Sequence, residues 1–204
     1  MLLTIYFVFA IGILFFVELS LPVAYIYKIG LKVTLFLLPM IWVGAGFFSE
    51  PDRKRTKVAF GLGIAVVAII LLAYWVLQEF IDLNQIKQLL EERQRITKEV
   101  YIFVALYAIL GNSVLEEIFF RGIVVKHLRY RPWVVSSLLF SIYHLTIFIS
   151  WFSWWILLLA LVSLFIGGLM FCWLNANRQS IWNSWIMHIF ADIAIFGIGF
   201  LIFF

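Results

Sequence analysis

Apolar residues run along this chain in long blocks broken by short polar segments, the pattern of repeated membrane crossings. A crossing helix needs about 20 mostly apolar residues. Seven blocks approach that length: 2–19, 29–48, 58–77, 100–128, 133–150, 151–174 and 181–204. The fifth is short and runs almost directly into the sixth, so the count is about seven. Between the third and fourth blocks, residues 81–99 place Leu83, Ile86, Leu90 and Ile96 at near-helical spacing. That spacing predicts an interfacial amphipathic helix, with a soluble linker helix as the alternative. The expected fold is all-α: one polytopic bundle over 1–204, with about seven transmembrane helices and the interfacial helix. The amino terminus lacks a basic leader and an Ala-x-Ala cleavage pattern, so its first block reads as a retained span.

Composition supports that class. Hydrophobic residues make up 65% of the 204 positions and charged residues 13%, with a mean hydropathy of +1.09. A soluble domain is roughly a quarter charged. The 22 Phe and nine Trp fit a lipid-facing protein with aromatic belts. The net charge of +4 sits in short connections, where it sets topology and does not mark a nucleic-acid site. Arg53, Lys54, Arg55 and Lys57 crowd the second connection; Lys126, Arg129 and Arg131 crowd the fourth; the fifth has no Lys or Arg. The second, fourth and sixth connections should therefore face the cytoplasm, with the amino terminus inside and the carboxyl terminus outside. Lys87, Arg93, Arg95 and Lys98 oppose this scheme. A lone cysteine, Cys172, excludes an intramolecular disulfide and a cysteine-based zinc cluster.

Ionisable residues inside a span are costly and mark function by default. The fourth block holds Glu116, Glu117 and Arg121, the fifth His144, and the last His188 and Asp192. Glu18 lies near the end of the first block. At a rise of about 1.5 Å per residue, Glu116 lies roughly 18 Å in from residue 128, while His144 and Asp192 each lie about 16 Å in from the starts of their blocks. Three helices thus place polar groups at similar depth from one side, which predicts a shared cavity opening to the cytoplasm. His188 and Asp192 share a helix face, as do Phe140 and His144, and Glu117 can pair with Arg121 four residues on. Two adjacent carboxylates do not both ionise cheaply in an apolar medium, so that pairing leaves Glu116 the freer acid. A carboxylate beside an imidazole can hold and deprotonate a water. A polar cluster that only locks the bundle by interhelical hydrogen bonds fits the spacing equally well.

The motifs tip this balance. Glu116-Glu117-Ile118-Phe119-Phe120-Arg121 matches EExxxR, Phe140 to His144 matches FxxxH, and His188 to Asp192 matches HxxxN/D. In this order, on separate hydrophobic spans, they resemble the CAAX protease and bacteriocin-processing family (CPBP, or ABI), which includes the Ras-converting CAAX endopeptidase. The resemblance covers about 100–204, the expected catalytic core; 1–99 would supply accessory spans and the interfacial helix, adding only hydrophobicity.

The resemblance implies an intramembrane endopeptidase acting on a membrane-associated peptide or protein at the bilayer; the expected location is the plasma membrane. It implies that Glu116 and His144 activate water, that His188 and Asp192 contact the oxyanion, that Glu117 and Arg121 organise the site, and that Phe140 lines it. An ionised Asp192 has no proton to donate, so it is protonated, orients a water or His188, or binds metal. No cofactor is required on the first reading; zinc or another divalent ion on Glu116, His144, His188 and Asp192 is the alternative. HExxH, GxSG and GxGD patterns are absent. The rival functions are a non-proteolytic scaffold, regulator or bacteriocin-immunity protein, and a transporter. His127 reads as an ordinary interfacial histidine, Trp154-Trp155 and Trp182 with Trp185 as belt anchors, and Gly167-Gly168 as a close-packing site.

Overall fold

The computed structural model describes residues 2–44, 46, 48–176 and 180–204, and those residues form helices and connections without a strand. The helices are α1 (Leu2–Ser20), α2 (Tyr25–Leu37), a short α3 (Met40–Val43), α4 (Arg53–Leu77), α5 (Leu83–Gln94), α6 (Lys98–His127), α7 (Pro132–Phe148), α8 (Trp154–Asn175) and α9 (Trp182–Phe203). Six stretches are long and apolar enough to cross a membrane, and α7 is a shorter apolar helix. At 17 residues, α7 lies at the short end of the range for a crossing helix. The chain is an integral, multi-pass membrane protein.

Prolines and polar caps set the boundaries. Pro39 has no N–H to donate and its ring crowds the preceding turn, so α2 stops at Leu37 and restarts for one turn at Met40, ending at Gly44 with φ 69°. The second crossing therefore runs over Tyr25–Val43, earlier than the 29–48 expected from hydropathy alone. At the head of α4, the Asp52 side chain accepts from the backbone N–H groups of Lys54 and Arg55, satisfying orphan donors of the first turn. Pro132 occupies the first turn of α7, where its missing N–H costs nothing.

Helix α6 is the axis. It touches α2, α7, α8 and α9, and 44% of its apolar window is buried, against 22% or less in the other five long stretches. Two π-helical segments, Tyr107–Asn112 and Ile118–Val124, flank its short α-helical centre Ser113–Glu117. Such i→i+5 segments are rare and cluster at functional sites. Phe119 and Phe120, inside the EExxxR motif, anchor α6: Phe36 of α2 stacks on Phe119 at 4.1 Å, and Phe140 of α7 meets Phe120 edge-on at 5.3 Å. Both phenylalanines are fully buried.

The amphipathic segment forms as expected. Helix α5 is capped by Asp82, whose carboxylate accepts from Gln85 N–H, and it ends at left-handed Arg95. Ile86, Leu90 and Ile96 are buried against Tyr101, Ala105 and Phe203. Of the two glycines in α8, Gly168 is the close-packing one: a Cβ there would lie 2.8 Å from Ser137 Cβ on α7, whereas nothing lies within 4 Å of one on Gly167.

The second, fourth and sixth connections gather at one end of the bundle. Ser180 Oγ donates to the Ser49 carbonyl at 2.9 Å, Asn183 Nδ2 donates to the Asp52 carbonyl at 3.3 Å, and Lys126 Nζ lies against Gly46.

Candidate active site

All the motif residues converge where α6, α7 and α9 meet. Glu116 and Glu117 are 1% and 0% exposed, and they have separate partners. Glu117 Oε1 accepts from Arg121 Nη1 at 3.1 Å and from His188 Nδ1 at 3.0 Å, while Oε2 accepts a short bond from Ser184 Oγ. Ser184 is held in turn by Asn175 of α8, whose Nδ2 lies 2.6 Å from Ser184 Oγ and whose Oδ1 accepts from Ser184 N–H. The Arg121 guanidinium lies 4.1 Å from the ring centroid of Phe140 and 4.6 Å from that of Phe171, so two aromatic faces offset its burial. Phe140 also packs on His144, with centroids 4.4 Å apart.

Glu116 divides its two oxygens. Oε1 accepts from Asn112 Nδ2 at 2.7 Å, with Lys32 Nζ at 3.7 Å. Oε2 is buried and makes no hydrogen bond among the described residues. It faces His144 Nε2 at 3.7 Å and His188 Nε2 at 3.8 Å, both longer than a direct hydrogen bond. The far ring nitrogens fix the imidazoles. His144 Nδ1 sits 2.9 Å from the Phe140 carbonyl, which can only accept, so Nδ1 carries the proton and the Nε2 of a neutral ring presents a lone pair. His188 Nδ1 likewise donates to Glu117. Asp192 is peripheral: its Oδ1 lies 3.9 Å from His188 Nε2 and its side chain is 19% exposed.

Sequence reasoning reaches the Glu117–Arg121 pair and the shared face of His188 and Asp192. It misses four polar residues that complete the site. Asn112 stands four residues before Glu116 and Ser184 four before His188, an i,i+4 signal on the same helix faces. Asn175 gives no signal. Lys32 lies inside the apolar block 29–48, where a lone ammonium is itself a signal. The expectation that the first spans add only hydrophobicity is thereby corrected, because α2 delivers a charged group to Glu116. Glu116 is not free at Oε1, which Asn112 and Lys32 engage, while Oε2 makes no hydrogen bond among the described residues.

His127 Nδ1 bonds the Ile123 carbonyl one turn back at 2.9 Å, away from the motif residues. Trp185 does more than anchor: its Nε1 donates to Ser113 Oγ at 2.9 Å, tying α9 to α6 beside the glutamates. Glu18 pairs with Lys28 at 2.8 Å.

Residues 98–194, just under half of the chain, match the family model described as type II CAAX prenyl endopeptidase Rce1-like. This segment is a CAAX protease-family domain. It spans α6, α7, α8 and most of α9, so it contains every motif residue described above, and Lys32 lies outside it. No curated protein and no solved structure matches the chain significantly.

As for metal, the far-nitrogen bonds of both histidines resemble those of metal-ligating imidazoles. The near groups do not follow: among the described residues, no set of three or more His, Cys, Asp or Glu is arranged to hold an ion.

Proposed function

We propose that this CAAX protease-family chain is an intramembrane endopeptidase in which Glu116 and His144 activate water. The observation that carries the reading is the Oε2 atom of Glu116: buried, without a hydrogen bond among the described residues, and faced by two imidazole nitrogens at 3.7 and 3.8 Å. A water at hydrogen-bond distance from Oε2 and His144 Nε2 is oriented by both. As its oxygen attacks the substrate carbonyl carbon, the proton passes to Glu116 or to the His144 lone pair, and the carbonyl π pair moves onto oxygen. His188, when doubly protonated, presents Nε2–H to that oxyanion. Collapse of the tetrahedral intermediate breaks the C–N bond, and the abstracted proton goes to the leaving amine. Glu117, Ser184 and Arg121 hold His188 in register. Asp192, displaced toward the exposed edge, orients His188 or a water.

The family description supports a membrane-associated peptide or protein as substrate. The basic connections gathered at one end support an opening toward the cytoplasm.

Cleavage of a prenylated CAAX peptide by purified protein in lipid tests the mechanism. Glu116→Gln and His144→Ala are each expected to lower kcat by about 100- to 10,000-fold, and His188→Ala by a similar factor. Full turnover in all three variants would overturn the Glu116–His144 mechanism, and no cleavage by wild type would favour a scaffold or immunity protein. Chelator treatment of wild type is expected to leave kcat unchanged, and loss of turnover restored by zinc would overturn the metal-independent route.

A further inference from the structure

The Glu116 carboxylate is steered by a residue from outside the matched domain. Lys32 projects from α2 with its side chain 13% exposed. Its Nζ donates to Asn112 Oδ1 at 2.7 Å, stands 3.7 Å from Glu116 Oε1, and lies 4.9 Å from the ring centroid of Tyr143. Asn112 is a two-sided bridge: its amide oxygen accepts from Lys32 while its amide nitrogen donates to the same Glu116 oxygen at 2.7 Å. Both contacts act on Oε1, which leaves Oε2 turned toward His144 and His188.

A purely structural ion pair would be placed differently, and α2 supplies the comparison. Lys28, one turn earlier, closes on Glu18 at 2.8 Å. Lys32 instead keeps its short bond for a neutral amide and remains 3.7 Å from the carboxylate. An ammonium deep in a bundle is costly and faces a functional group by preference. With three donors and no acceptor, Lys32 can orient Asn112 and hold a negative charge on Glu116 without taking its proton-accepting oxygen.

We propose that Lys32, acting through Asn112, is a positioning residue that fixes Glu116 with Oε2 directed at the reacting water. The inference rests on the proposed peptidase reading, and it makes the amino-terminal spans part of the active site.

Steady-state kinetics on the prenylated CAAX peptide, with the full chain in lipid, test it. Lys32→Met is expected to lower kcat about 10- to 100-fold, the scale of a misplaced catalytic group, with KM within about twofold because Lys32 does not touch substrate. Lys32→Gln, which keeps a donor for Asn112 but no charge, should recover part of the loss. A role in folding alone would shift the melting temperature and the amount of active enzyme and leave kcat per folded molecule unchanged. If Lys32→Met does not fold, an intermediate kcat in Lys32→Gln carries the same weight. Wild-type kcat in folded Lys32→Gln and Lys32→Met, with Glu116→Gln inactive, would overturn this inference and leave the peptidase reading standing. A raised KM at unchanged kcat would overturn it as well. Full activity in Glu116→Gln would overturn the base assignment and, with it, the role of Lys32.

Discussion

Glu116 and Glu117 are adjacent, yet π-helical turns on either side of them and the packing of α9 give them separate tasks. Glu117 is saturated by Arg121, His188 and Ser184, whereas Glu116 keeps one oxygen without a hydrogen bond among the described residues. Removing one member of a buried charge pair leaves the other uncompensated, at about 3–5 kcal/mol. Arg121→Met should therefore lower the melting temperature sharply in detergent. The double variant Arg121→Met/Glu117→Gln should melt above Arg121→Met alone, since the amide that replaces the carboxylate carries no charge. Ser184→Ala tests the next contact: Glu117 Oε2 loses its hydroxyl donor, and a loss of about 1–3 kcal/mol in stability is expected from a buried acceptor left unpaired. The i,i+4 spacing made the Glu117–Arg121 pair legible in the sequence. Ser184 and Asn175 were not legible as partners of Glu117, because only the packing of α8 and α9 against α6 brings them there.

At the scale of elements, apolar blocks located nearly every helix, and the misplacements have local causes. Pro39 divides the second crossing, and capping sets the start of α4, neither of which a hydropathy window registers. The π segments of α6 were equally hidden, because they shift side-chain register without changing which residues are apolar. The glycine pair in α8 offers a sharper test of packing. An alanine at 168 would press its methyl 2.8 Å from Ser137 Cβ and 3.0 Å from Ser137 Cα. A backbone atom cannot rotate away, so α7 and α8 must separate. Gly168→Ala is expected to destabilise by about 1–3 kcal/mol. It should also reduce activity, because α7 carries His144. Gly167→Ala meets nothing within 4 Å and should be neutral or stabilising by up to ~1 kcal/mol through helix propensity. Equal melting temperatures for the two variants would refute this account of the α7–α8 contact.

For the molecule as a whole, charge asymmetry and three-dimensional packing bear on orientation independently. Arg53, Lys54, Arg55 and Lys57 at the head of α4 and Lys126 near the end of α6 come to the same end of the bundle, with Ser180 just before α9 and Asn183 in its first turn bonded to that end. Short loops rich in Lys and Arg stay on the cytoplasmic side, which would put the amino terminus inside. The segment around α5, with Lys87, Arg93, Arg95 and Lys98, would lie on the opposite side. Its charges oppose the rule, but α5 lays Ile86 and Leu90 on the bundle, and that docking can hold it whatever its charge. Because the chain has one cysteine, and that residue is buried, Cys172→Ser gives a clean background for labelling. In that background Lys54→Cys should react with a membrane-impermeant maleimide only after the membrane is opened. Gln85→Cys, on α5, should react in intact cells. The reverse pattern would invert the bundle and move the proposed opening to the outer face; labelling of both in intact cells would exclude a single orientation.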